Sequence, residues 1–341
     1  MQRQYGSSEP QTKAHGQYPY AHQTAAPPLY QNVYRACLAL MYHTNSVWLF
    51  TFSDLKTIVG PSTFFGTVHA FALGYSGSHE ALSMAALVPA FRMVVRTAFW
   101  TWINLLPFAI DNQRQPPSIQ EDAINKPWRT MPSKRMSIKQ ATRLMWTLYP
   151  VAFVVSLFLG GWRQCVGLMM LGYIYNDLKG ADCDCWVRNL INGGGFLCFL
   201  SGALEVAMAQ PYTLGSSPMD SWFLIIGAVV FSTVHSQDMA DQAGDKLRGR
   251  LTVPLTIGDW NARLIIAALM PCWSIIGPQY WRVPTAVFSI PLALGLTIAW
   301  RTLNLRDLKD DKRTFQCWNL WMVVFYLLPI MKIWSCGRLD L

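Results

Sequence analysis

The stretch HSQDMADQAGDKLRGRLTVPL, residues 235–255, closes an apolar run that begins near Trp222. It spaces Asp238, Asp241 and Asp245 by three and four residues, which puts three carboxylates on one face of a helix. Carboxylates at a membrane boundary are costly unless a charge compensates them, and a divalent cation is the natural partner. Gly244 and Gly249 loosen the backbone where the helix should stop, and Lys246, Arg248 and Arg250 bring positive charge beside the acids. Oxygen ligands next to cations suit a metal-bridged diphosphate. Taken alone, the stretch also fits a polar helix end on a positively charged loop.

The surroundings narrow the choice. Of 341 residues, 52% are hydrophobic and 14% charged, and apolar runs recur at about the twenty-residue length that spans a bilayer as a helix. The expected spans are 48–73, 81–110, 141–159, 164–175, 186–207, 222–234, 263–276, 284–300 and 318–333, the fourth being short. The fold class is therefore all-α: a polytopic membrane protein of about nine transmembrane helices. Residues 1–34, rich in Gln, Tyr, Pro, His and Ser without apolar periodicity, read as a disordered N-terminal tail ahead of one membrane domain, 35–341.

Basic residues concentrate after the even-numbered helices, in loops holding Arg114, Lys126, Arg129, Lys134, Arg135, Lys179, Arg188, Lys246, Arg248, Arg250, Arg301 and Arg306, whereas the odd loops hold little beyond Arg163 and Arg282. This asymmetry puts the even loops and the N-terminus in the cytoplasm. It also accounts for the net charge of +9 without a nucleic acid partner. The Asp182-Cys183-Asp184-Cys185 tetrad lacks a second ligand pair, which argues against zinc.

A second acidic patch lies in the loop after helix two. Asp111, Asn112, Glu121 and Asp122 offer oxygens of the kind Mg²⁺ accepts, Lys126 and Arg129 follow, and four prolines stiffen the segment. Tyr175 and Lys179 share a helical face at the end of helix four. Both patches fall on the cytoplasmic side, where they can share one diphosphate. Mid-helix Phe153, Phe199 and Phe231 are candidates to line a pocket that stabilises a carbocation. Glu205, deep in helix five, must be paired or functional, and His69 and His235 read as hydrogen-bonded packing residues. A transporter is disfavoured because the polar groups gather on one face and no paired repeats are visible.

The Asn-Lys-Pro-x-Arg run at Asn125–Arg129, Tyr-x-x-x-Lys at Tyr175–Lys179 and Asp-x-x-x-Gly-Asp…Gly-Arg-x-Thr-x-Pro at Asp241–Pro254 resemble the UbiA superfamily of intramembrane prenyltransferases across residues 45–335. The resemblance implies a nine-helix bundle around a lipid-open cavity in the endoplasmic reticulum, with Mg²⁺ as cofactor and a prenyl diphosphate as substrate. It implies that Asp122, Asp238, Asp241 and Asp245 carry catalysis, that Asp111, Asn112 and Glu121 join them around metal, and that Lys126, Arg129, Tyr175, Lys179, Lys246 and Arg248 hold diphosphate. The chain departs from the usual Asn-Asp-x-x-Asp-x-x-x-Asp first motif, since Ser118 and Arg114 stand four and eight residues before Asp122. The altered form is similar to the fungal branch of membrane-bound terpene cyclases. It implies cyclisation of farnesyl diphosphate to a sesquiterpene, alongside other enzymes of a biosynthetic pathway. The alternative is prenyl transfer to an aromatic or other acceptor.

Overall fold

The computed structural model describes residues 28–74, 84–211 and 218–336. Two compact units emerge, residues 1–44 and 45–341. Helix α1 (Pro28–Thr51) begins in the first unit. It starts at a proline, whose fixed φ suits the first helical position. Residues 28–34 are therefore helical rather than tail, and residues 1–27 of that expectation lie outside the described residues.

The second unit continues with a 3₁₀ turn (Phe52–Asp54), a π-turn (Leu55–Val59), α2 (Gly60–Gly74), α3 (Met84–Arg114), α4 (Pro116–Asn125), α5 (Ile138–Leu159), α6 (Trp162–Asn176), α7 (Gly180–Cys183) and α8 (Cys185–Met208). It goes on through α9 (Pro218–Thr233), a 3₁₀ segment (Val234–Ala240), α10 (Gln242–Arg248), α11 (Val253–Ile257), α12 (Asp259–Trp281), α13 (Thr285–Asn304), α14 (Leu308–Tyr326) and α15 (Leu328–Cys336). The described residues contain no strand.

Seven helices among the described residues are long and apolar enough to cross a membrane. The count of nine is not reached because α2 and α6 hold 15 residues each, about 22 Å of helix. Pro61 lacks the N–H that an α-helix needs there, and the backbone just before it opens into the π-turn.

Two expectations for the polar segments change. Asp111 and Asn112 belong to the last turn of α3, and the proline-rich loop is largely α4, with proline in its first turn. Asp238, Asp241 and Asp245 do not share one α-helical face, because α9 stops at Thr233. Ser232 and Thr233 donate to the Ala228 and Val229 carbonyls four residues back, a pattern that bends helices. The tighter 3₁₀ segment carries Asp238, Asp241 stands at its junction with α10, and Asp245 lies in α10.

The largest core cluster joins Trp222, Phe223 and Ile226 of α9 to Ile266 and Met270 of α12 and Trp318, Trp321 and Phe325 of α14. Three buried indoles are satisfied because hydroxyls on neighbouring helices accept their N–H groups. Trp100 donates to Ser156, Trp318 to Thr233 and Trp321 to Ser274, at 2.8–3.0 Å. At the end of the bundle remote from Asp238, the Gly161 amide donates to Glu205 at 2.8 Å, and Arg163 and Gln164 reach the same carboxylate. His69 and His235 sit against backbone carbonyls, at 2.7 Å from Phe65 and 3.3 Å from Ala262 respectively.

Candidate active site

The C-terminal ends of α3, α6 and α9, the N-terminal end of α8, and the short helices α4 and α10 meet at one end of the bundle. Here the two motif segments dock on each other. Asn125, at the end of α4, donates to the Asp241 carbonyl (2.9 Å) and accepts from the Gly244 amide (3.2 Å). A Cβ on Gly244 would lie 2.4 Å from the Asn125 amide nitrogen, so α10 can approach α4 this closely only with glycine. Gly249 ends α10 at φ +75°, a left-handed turn that sends Arg250 back toward the acids. Pro254 then opens α11. The Gly-Arg-x-Thr-x-Pro part of the motif is thus a turn and a helix start.

The cavity beneath this junction has a polar and an apolar end. Asp54, Asn112, Glu121, Lys126, Arg129, Tyr175, Arg188, Asp238, Asp241, Asp245 and Arg250 line the first, and Leu105, Phe108, Leu168, Phe196 and Phe199 line the second. Phe199 is therefore the one expected pocket aromatic that reaches the lining. Phe153 packs against the Ile103–Ala152–Cys165 cluster and Phe231 against Trp186.

The carboxylates of the two motifs fare differently. Both Asp122 oxygens accept from Arg129 Nη1, at 2.9 and 3.1 Å, and Arg129 also donates to Ser53 Oγ at 2.7 Å. Glu121 accepts from Arg250 at 3.1 Å with Oε1 and from Arg248 at 3.0 Å with Oε2. Burial alone would raise the Glu121 carboxyl, but Arg250 and then Arg248 outweigh it and hold the carboxyl below its ordinary value. Asp111 is tied to Arg114 (2.7 Å) and Asn176 (3.4 Å) and does not line the cavity, nor does Asp122. In this structure arginines engage the carboxylates of Asp111, Glu121 and Asp122, and Asn176 also reaches Asp111. Asn112 does face the cavity, with a buried Oδ1 that has no hydrogen-bond partner.

In the second motif, Asp241 pairs with Lys126 at 2.6 Å, and this cation keeps its carboxyl low against the opposing effect of burial. Asp238 and Asp245 are both 1% exposed, and each keeps one buried Oδ2 without a partner. Burial, reinforced by the Asp238 carboxylate, pushes Asp245 up to about 8. Among the described residues no three carboxylate, histidine or cysteine side chains stand together as a complete metal site. Mg²⁺ does not require one, because it keeps waters and binds through one or two carboxylates plus substrate phosphates. Two adjacent buried carboxylates with unpartnered oxygens fit that donor set.

Of the bases expected at diphosphate, Lys126 and Arg129 line the cavity, whereas Lys179 and Lys246 are exposed and do not. Arg248 is spent on Ser118, Glu121 and Asp182. Asp182 and Asp184 of the cysteine-containing tetrad serve structure, Asp182 holding Arg248 and Arg250 and Asp184 capping α8. Lining residues that sequence reasoning missed are Asp54, Arg188 and Asn192, and Arg250, read there as positive charge beside the acids, joins them. Arg188 donates to Asp238 Oδ1 at 2.6 Å and to the Tyr175 hydroxyl. Its only sequence signal was loop charge.

The model of the UbiA prenyltransferase family matches residues 64–323. The chain belongs to the UbiA prenyltransferase family. It is 28% identical over 275 residues to the fumagillin beta-trans-bergamotene synthase of Aspergillus fumigatus, covering 79% of this chain and 93% of that one. It is also 28% identical to the somaliensene A/B synthase of Streptomyces somaliensis, over 80% and 88% of the two chains. A UbiA homologue from Archaeoglobus fulgidus, solved with GPP and Mg²⁺, superposes with a TM-score of 0.52 at 12% identity over 81% of this chain and 99% of that one, which establishes the shared fold. The protein is an integral, multi-pass member of this family.

Proposed function

We propose that this chain is a Mg²⁺-dependent membrane terpene cyclase that ionises farnesyl diphosphate and closes the cation to a sesquiterpene for secondary metabolism. The observation that carries this reading is the single cavity with a carboxylate-and-cation end and an aromatic end. The named activities of the two synthases support it, as does the ligand pair bound by the archaeal homologue.

Asp238 and Asp245 would hold Mg²⁺ with Asn112 beside them, and the cation would offset charge on the leaving diphosphate. Lys126 and Arg129, fixed by Asp241 and Asp122, face the same anion from the α4 side. The C1–O bond breaks and its electron pair leaves on the diphosphate. Phe108, Phe196 and Phe199 bound the space left to the allylic cation, each good ring contact contributing roughly 1–2 kcal/mol. A distal double bond attacks C1, and a proton is lost to diphosphate or a base. The apolar wall at Leu105, Phe108, Leu168, Phe196 and Phe199 would limit water around the cation and so its capture. The loop charges support a cytoplasmic side for this end and the N-terminus, and the endoplasmic reticulum as the membrane rests on the family resemblance.

A side chamber lined by Phe52, Trp128 and Phe315 meets the cavity at Asp54, Lys126 and Asp241. It favours the second reading, prenyl transfer to an acceptor seated there. Microsomes carrying the protein, given farnesyl or geranylgeranyl diphosphate and Mg²⁺ without acceptor, separate the two. A cyclic hydrocarbon by gas chromatography–mass spectrometry that vanishes with EDTA supports the cyclase. No hydrocarbon from either donor sinks it in favour of transfer.

A further inference from the structure

Besides Arg129, two guanidiniums face the cavity, one on α8 outside every motif and one in the Gly249–Pro254 part of the second motif. Arg188, in the first turns of α8, and Arg250, just past the Gly249 turn, are 4% and 5% exposed and line the cavity wall. A guanidinium stays charged at any burial, so the wall carries two fixed positive charges. Each keeps a buried N–H without a partner, Nε of Arg188 and Nη2 of Arg250. Buried donors of this kind are expensive to leave unmet. Their neighbours orient them: Tyr175 and Asp238 hold Arg188, while Glu121 and Asp182 hold Arg250. The lysines that occupy the corresponding motif positions, Lys179 and Lys246, are exposed and outside the lining.

We propose that Arg188 and Arg250 form the clamp that grips the diphosphate from the α8 side, with Tyr175 as a positioning residue for Arg188. This rests on the prenyl diphosphate reading of the site. The fork of a guanidinium matches two phosphate oxygens, and its bonds strengthen as charge collects on the leaving group. Arg188, Asn192 and Phe196 follow at intervals of four on one face of α8, and all three line the cavity. A substrate headed at Arg188 therefore runs two helical turns down to the aromatic end.

The test is the affinity of the purified full-length protein for inorganic diphosphate with Mg²⁺, by calorimetry in detergent, together with KM for farnesyl diphosphate. Arg250→Gln and Arg188→Gln should each weaken diphosphate binding about tenfold or more, with KM rising in parallel. Arg188→Lys keeps the charge without the fork and should recover only part of the loss. Lys139→Gln, an exposed lysine of α5, controls for loss of charge alone. If Arg188→Gln does not fold because Asp238 loses its partner, Arg188→Lys and Arg250→Gln decide. Both binding within about twofold of wild type overturns the clamp, since a purely structural role lowers melting temperature and spares affinity. Absence of hydrocarbon from the wild type would sink the cyclase reading alone, because inorganic diphosphate binding needs no turnover.

Discussion

The two acidic motifs dock on each other at one end of the bundle, and their carboxylates are partnered differently. In Asp238–Asp245 two carboxylates keep unpartnered buried oxygens. In Asp111–Asp122 every carboxylate is paired to arginine, Asp111 also taking a bond from Asn176. An acidic residue count would make them equivalent. Hydrogen-bond saturation separates carboxylates with open oxygens from carboxylates already held by the surrounding bases.

The sharpest way to break this contrast is to neutralise one side. Asp245→Asn should leave the fold intact and lower kcat/KM for farnesyl diphosphate by about a thousandfold, roughly 4 kcal/mol of transition-state stabilisation. A fall of less than tenfold would put the cation elsewhere. Glu121→Ala should act on stability, because Arg248 and Arg250 lose a shared buried partner. A loss of about 3–5 kcal/mol is expected in denaturant unfolding, with Mg²⁺ dependence retained in the folded fraction. Gly244→Ala probes the junction between the motifs. Its Cβ meets Asn125 at 2.4 Å, so overpacking should cost about 1–3 kcal/mol, visible as a lowered melting temperature.

The smallest effect is a pH dependence. Asp245 must lose its proton before a cation binds, and its pKa sits near 8. Mg²⁺-induced thermal stabilisation should therefore grow from pH 6.5 to 8.5, affinity weakening by up to about tenfold per unit below 8. Without cation the sign reverses. The folded chain binds this proton more tightly than the unfolded chain, so the contribution is fully present below the ordinary carboxylate range and is lost as pH rises toward 8. A flat Mg²⁺ response would remove Asp245 from the site.

The membrane bundle was legible because apolar runs and loop charges are local signals. The first and fourth spans fell short because Pro61 breaks one and the other holds only 15 residues of helix. Asp238, Asp241 and Asp245 were legible as a group, but their common helical face was not, because Ser232 and Thr233 end α9 early. The pairing of Asp122 was not legible for a different reason. Whether a carboxylate is open depends on which guanidinium reaches it: Arg129 folds back on Asp122 from just past α4, and Arg248 and Arg250 reach Glu121 only across the α4–α10 junction. Arg188 escaped notice because the helix α8 that delivers it carries no motif.

The most direct test is the Mg²⁺ concentration for half-maximal diphosphate release from farnesyl diphosphate, compared between Asp245→Asn and Asp122→Asn. The first should raise that concentration at least about a hundredfold and the second should leave it within about threefold. The opposite ranking would contradict the division of labour between the two motifs.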